Sequence, residues 1–338
     1  MKKISISSNT GKLAVIIIIC MGIISCEDFL EISPKNQISD SYVWSDTNQA
    51  DLFLNDIYAA LPSVINRFDP WENVSDDSMD GAEGTTSRNV YAISAYTSEN
   101  AETQWGQYSN IRKCNLFVDK VTKSSLPADW KKLRLAEARF LRAYFYSLLW
   151  TWHGGVPIIT DVLNYTEQGD AIFRARNTSD ETFSFITREC AEIAVDLPVS
   201  ASQKGRITKG AALTLKGWCE LFNASPLHNP NNDKSKWTLA ANTYKSVMDL
   251  NAYNLFPNYE TLFYEENNFN IETILAKPHV GGTTLGKSTE GFAGPNYTGG
   301  SQTSYGMVNP SQEIIDEYTM ANGLLINDPN SGYDPQNP

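Results

Sequence analysis

Histidine is scarce in this chain, and His153, His228 and His279 stand far apart. There is no HExxH or HxH pair, which removes the usual zinc-hydrolase patterns. No GxSxG elbow, P-loop or GxGxxG turn follows a strand-like run either. Acidic pairs could serve a glycosidase, but Asp+Glu total 39, so chance pairs carry no weight. The chain is read as non-catalytic, with no cofactor and no metal. The one calcium-like run is Asp76, Ser78, Asp80 and Gly81, and it fails as an EF-hand because Ser87 holds the twelfth position instead of Glu. Cysteine is also sparse. Cys20, Cys26, Cys114, Cys190 and Cys219 show no CxxC spacing, which argues against a zinc site or a thioredoxin-like motif. Cations are outnumbered: Lys+Arg of 27 leave a net charge of −12. Phosphate binding needs a basic surface, so nucleic acid is excluded as a partner. Anionic lipid heads offer such a surface nothing, so a membrane link has to be covalent or hydrophobic.

A covalent link is available at the N-terminus. Lys2, Lys3 and Lys12 precede the apolar run Leu13–Ile24, which is followed by Ser25 and Cys26. A basic start, an apolar core and a small residue at the cut make a secretory signal. The run is shorter than the ~20 residues a transmembrane helix needs. Ile23-Ile24-Ser25-Cys26 resembles a bacterial lipobox, whereas Cys20 follows the bulky Ile19. Residues 1–25 are therefore expected to be a lipoprotein signal peptide, with Cys26 lipidated and 26–44 an extended tether. Two acyl chains suffice for stable anchoring. Cleavage removes three lysines and no acid, taking the charge to −15.

Beyond the tether the pattern is helical. The spacing predicts helices over 47–60, 100–122, 128–153, from 179 or 180 to about 194, from 208 through 222, 237–250 and 310–320. The 128–153 helix carries two adjoining apolar stripes, through Phe140 and Tyr144 and through Leu141, Phe145 and Leu148. Such a helix packs between neighbours. Lys132, Arg139 and Arg142 are read as its narrow polar strip. Gly154 and Gly155 end it, and Pro157 prevents resumption. Trp105, Trp150, Trp152, Trp218 and Trp237 lie at helical spacing and are assigned to the core, as are Cys114, Cys190 and Cys219. Trp237–Tyr244 matches the tetratricopeptide spacing, with Ala240 and Ala241 at its two middle positions. The fold expected is mainly α, with tetratricopeptide-like helix pairs, long irregular loops and a few short strands. Residues 45–265 form the helical-repeat region with a ligand loop at 66–97, and 266–338 begin an irregular C-terminal region.

Several segments in order resemble the SusD/RagB-like family of nutrient-binding outer-membrane lipoproteins of Bacteroidetes. They are Cys26-Glu27-Asp28-Phe29-Leu30 with its Ser-Pro tether, Glu137–Pro157, Arg206–Cys219, Tyr253–Phe263, Asn267–Leu275 and Pro310–Gly323. The resemblance implies a lipoprotein on the cell surface. It would capture an oligosaccharide, or in RagB-like relatives a peptide, and deliver it to a SusC-like TonB-dependent transporter in the outer membrane. Family members continue well past the last landmark, so the resemblance also implies a truncated chain.

Sugars are bound by flat aromatic rings, with polar side chains taking the hydroxyls. Two stretches have that chemistry. The first, 67–96, offers Trp71, Asn73, Arg88 and Tyr91. The second, 281–306, offers Asn296, Tyr297 and Tyr305 in a Gly/Ser/Thr/Tyr-rich setting suited to an adaptable loop. The competing readings are a secreted glycan-degrading enzyme on a helical scaffold and a pure scaffold.

Overall fold

The structure is a computed structural model, and it describes residues 40–62, 71–79, 91, 94–278 and 309–336. Residues 1–25, read as a signal peptide, and Cys26 lie outside the described residues. So do Arg88, Asn296, Tyr297, Tyr305, His279, most of the first candidate ligand stretch and all of the second.

The helices are α1 (Asp40–Val43), α2 (Thr47–Ala59), α3 (Gln107–Lys123), α4 (Ala128–His153), α5 (Tyr165–Gln168), α6 (Ser179–Ile193), α7 (Lys209–Ala224), α8 (Lys234–Met248) and α9 (Gln312–Glu317). The fold is mainly α. Each long helix packs on the next in sequence, α3 on α4, α4 on α6, α6 on α7 and α7 on α8, while α2 leans on α3 and α4. Side chains set the starts. Asp46 accepts hydrogen bonds from the Asn48 and Gln49 amides ahead of α2. Thr178 and Glu181 form a reciprocal capping box before α6, which starts at Ser179, the first of the two positions its spacing allows. Thr208 caps α7 through the Ala211 amide.

α3 begins at Gln107, seven residues later than its spacing predicts. Thr97 and Asn100 hydrogen-bond within their own turn instead, which is the local competition that keeps such residues out of helices. The tether reading ends sooner than expected, because α1 already starts at Asp40.

α4 is the axis of the array, buried on nearly every side from Ala136 to Trp150. Its fully buried Phe140, Leu141, Phe145, Tyr146, Leu149 and Trp150 fill the space between α3, α6 and α7. The polar strip read into α4 is corrected. Arg142 is buried, donating to Asn115 Oδ1 at 2.9 Å and to Glu189 Oε2 at 2.8 Å. Arg139 forks onto the same Glu189 carboxylate. Burial alone would raise the Glu189 carboxyl, but the hydrogen bonds from Arg139 and the charge of Arg142 hold it below the usual carboxylate range. A second buried carboxylate, Glu137, accepts from Arg134, Arg206 and the Tyr58 hydroxyl, tying α2 and the segment before α7 to the axis. Cys114, Cys190 and Cys219 are free and buried. Burial pushes the Cys114 and Cys190 thiols up to about 12, so they behave as small apolar groups.

Both glycines at the end of α4 are used, for different reasons. Gly154 takes φ 70° and ψ −130°, a region open to glycine alone, and its amide closes on the Trp150 carbonyl at 2.8 Å. Gly155 lies against the backbone of Asn177 and Thr178, where a Cβ would stand 2.1 Å from the Asn177 carbonyl oxygen.

The tryptophan assignments need the largest correction. Trp150 is 1% exposed, but Trp105, Trp152, Trp218 and Trp237 are 42%, 40%, 41% and 38% exposed. Helical spacing identifies a face, yet it cannot tell an inner face from an outer one. Among the described residues the only paired strands are β1 (Ser78–Met79) and β2 (Asn309–Pro310), joined antiparallel with Ser78 opposite Pro310.

Candidate functional site

The β1–β2 pair matters more than its size suggests. It joins the chain just after Trp71 and Asn73 to the chain just after Tyr305, more than 200 residues later. The Ser311 amide donates to the Asp77 carbonyl at 2.9 Å, and the Ser311 hydroxyl donates to the Asp76 carbonyl. The same hydroxyl accepts from the Ile314 amide at the start of α9. The first candidate ligand stretch is thus fastened to the chain that follows the second.

Trp71 opens a short 3-10 turn, Trp71–Val74. Asn73 does not face solvent. It is 3% exposed, and its Oδ1 accepts from the Ser78 hydroxyl at 2.8 Å. In this position it braces the turn that leads into β1. Tyr91 is half-buried, and its hydroxyl accepts from the Glu102 amide at 2.5 Å. Its ring lies against Tyr96, with centroids 5.4 Å apart. Tyr96 is 58% exposed.

Two residues beyond Glu102, the Gln104 amide donates to His153 Nε2 at 3.0 Å. The imidazole lies flat under the indole of Trp105, with centroids 4.0 Å apart and planes within 7°. Trp105 also lies nearly parallel to Tyr108, whose hydroxyl donates to the Pro157 carbonyl at 2.7 Å. Arg176 fixes the other side of this corner by donating to the His153 and Gly155 carbonyls. The segment 102–105 therefore carries two aromatic pairs, Tyr91–Tyr96 and Trp105–His153. Each pair is pinned by a backbone amide, and each leaves one ring, Tyr96 or Trp105, open to solvent.

The candidate residues read from sequence touch this corner at Tyr91, and the stretch 67–96 ends on Tyr96, whereas Trp105 is read there as core and His153 as an isolated histidine. Trp105 was assigned to a helix that in fact starts two residues later. A usable clue was the Gly106 beside it, since glycine in a helical pattern points to an end. His153 stands isolated in the sequence because its partners Trp105 and Gln104 lie 48 and 49 positions away.

Two cavities compete with this surface. A groove of about 350 Å³ between α4 and α7 is lined by Phe140, Tyr144, Leu148, Leu215, Trp218 and Leu275. Its lining is mainly apolar, with Ser147 and Thr214 supplying hydroxyls, which suits a polyol poorly. A space of about 520 Å³ beside Phe263 and Phe269 includes Asn267 and Asn270. Their side-chain amides are already committed to the Thr261 and Asn267 carbonyls. A flat, solvent-open indole backed by His153 is the better surface for a pyranose face. Among the described residues no group of three or more His, Cys, Asp or Glu is placed to hold a metal, and no helix is long and apolar enough to cross a membrane.

The fold itself has known relatives. A SusD-like protein of Bacteroides ovatus is 29% identical over 242 residues, covering 68% of this chain and 42% of that protein. The crystal structure of a SusD-like protein from Bacteroides fragilis superposes with a TM-score of 0.69 at 24% identity, covering 85% of this chain and 55% of that one. A laminarin-binding SusD-like protein superposes at 0.54 with 22% identity, over 68% of this chain and 51% of its own. The chain thus spans about half the length of these relatives. The sequence profile of the SusD-like family described as starch-binding and associating with the outer membrane matches residues 28–216, more than half the chain, and the protein belongs to that family.

Proposed function

We propose that this protein binds glycan, without cleaving it, on the aromatic surface built around segment 102–105. Trp105 and Tyr96 supply the flat faces. Tyr91 orients Tyr96, and Asn73 acts through the turn it braces. Trp71 and Arg88 from the first stretch, with Asn296, Tyr297 and Tyr305 from the second, complete the site. The observation that carries this reading is the solvent-facing indole of Trp105, held parallel to His153 at 4.0 Å in a member of a family described as starch-binding. Lipidation of Cys26 would hold the protein at the outer membrane, and a SusC-like TonB-dependent transporter would receive the oligosaccharide.

The test is native affinity electrophoresis in gels containing laminarin, soluble starch or xylan, paired with an assay for new reducing ends. The expected result is retardation by at least one polysaccharide, its loss in Trp105→Ala and its weakening in Tyr96→Ala, with no reducing ends formed. Reducing ends that disappear on removal of a single carboxylate would establish the enzyme reading instead. Anchoring is checked separately: palmitate label should enter the wild type and be absent from Cys26→Ser.

A further inference from the structure

We infer that His153 is a positioning residue for the Trp105 face, and that its proton makes this corner of the protein respond to mildly acidic pH. The inference rests on the proposed role of Trp105 only for its consequence on glycan binding. The pin itself is a property of the geometry.

His153 does two jobs at once. Its ring backs the indole at 4.0 Å, and its Nε2 accepts the Gln104 amide hydrogen at 3.0 Å. An acceptor at Nε2 requires the neutral ring with its proton on Nδ1. Protonation turns Nε2 into a donor facing another donor, so the bond to Gln104 is lost. Gln104 is no idle partner. Its carbonyl accepts from the Gln107 amide, and its side chain accepts from Gln107 Nε2, at the first residue of α3. Releasing Gln104 loosens the turn that aims Trp105. A cation beneath the indole would also change what the opposite ring face offers to a sugar.

Burial and the Arg176 charge favour the neutral ring. Arg176 is held beside it by the His153 and Gly155 carbonyls. Tyr108 packs from α3, and Glu102 lies two residues from Gln104 on the same segment. Burial, and then the Arg176 charge, lower the His153 pKa from its ordinary 6.5. A lowered pKa means that the contribution of the neutral form is complete above pH 6.5 and is withdrawn as pH falls through the depressed value. His228, stacked on Trp150, is lowered in the same way by burial and by Lys236, against an opposing effect of Asp180. A global unfolding curve would therefore mix the two histidines, and a local readout is needed.

Hydrogen–deuterium exchange of the peptide containing Gln104, corrected for the intrinsic pH dependence of exchange, supplies that readout between pH 7.5 and 5.0. Loss of one such hydrogen bond should accelerate exchange at Gln104 by about fivefold in the wild type as the pH falls. His153→Phe keeps a ring under Trp105 and removes both the acceptor and the titration. It should exchange fast at both pH values, with no pH response. Laminarin, starch and xylan gels run at the same two pH values should show wild-type retardation weakening at pH 5.0 and the variant weak at both, with no pH response. Wild-type exchange at Gln104 that is the same at pH 7.5 and 5.0, or a His153→Phe variant that keeps the wild-type pH response, overturns the inference. An exchange response without retardation at either pH supports the pin and overturns the glycan reading.

Discussion

The helical array and the irregular segments around it solve the same problem in opposite ways. From α2 to α8 the backbone satisfies itself within helices, and side chains are free to fill the interior around α4. In 94–106 and 251–278 the backbone is satisfied by nearby Asn, Thr and Tyr side chains, as with Asn100 onto Ala95, Asn267 onto Thr261 and Tyr91 onto Glu102. Those segments contribute few side chains to the core, so their aromatics remain at the surface: Tyr96, Trp105, Tyr259 and Phe263. The array carries most of the core, and the irregular segments add exposed aromatics to the outer-facing Trp152, Trp218 and Trp237 of its helices.

That division predicts a gradient of effects. Trp150→Ala should be among the most costly changes, about 3–5 kcal/mol in urea denaturation. It empties the junction with Phe183 and Phe222 and strands the Ser179 hydroxyl that accepts from Nε1 at 2.9 Å. Trp218→Ala, on the outer face of α7, should cost about 1 kcal/mol. Equal costs for the two would erase the distinction between inner and outer tryptophans. Glu189→Leu should cost about 3 kcal/mol or more, because it leaves Arg142 charged and buried without its carboxylate partner. Its pH signature is a second check. A depressed carboxylate contributes fully above its unfolded pKa of about 4.3, and the contribution fades as pH falls through the native value. The variant should therefore lose less stability than the wild type on acidification below pH 4.

Gly155→Ala comes next, at about 1–3 kcal/mol by calorimetry, since its methyl group meets the Asn177 backbone. The smallest stability effect belongs to the exposed chemistry. Trp105→Ala should stay within about 1 kcal/mol of wild type while abolishing polysaccharide retardation. A Trp105→Ala variant that unfolds as readily as Trp150→Ala would return Trp105 to the core and end the comparison.

Much of the array was legible from sequence. The two stripes and flanking Pro127 and Gly154 of α4 bracket the helix at the bounds it takes. The three buried cysteines also read correctly, because a small thiol within a helical apolar pattern has little else to do. The site was legible only in part. Tyr91 could be picked out from composition, but nothing local marks Asn73 as internal, since the Ser78 hydroxyl that claims it depends on how the turn folds back. Arg142 misled for a related reason: a cation reads as exposed until the carboxylate that neutralises it, 47 residues away, is brought alongside.

Sequence by itself determined where helices form, which family the chain resembles, and that α4 would be its axis. Those properties depend on spacing, caps and chain breakers within a few residues of one another. Tertiary structure decided which tryptophan of a helical pattern is buried, which charges are paired, and that His153, Gln104 and Trp105 meet at one corner. Those outcomes depend on contacts between residues tens to hundreds of positions apart, whose geometry local periodicity does not encode.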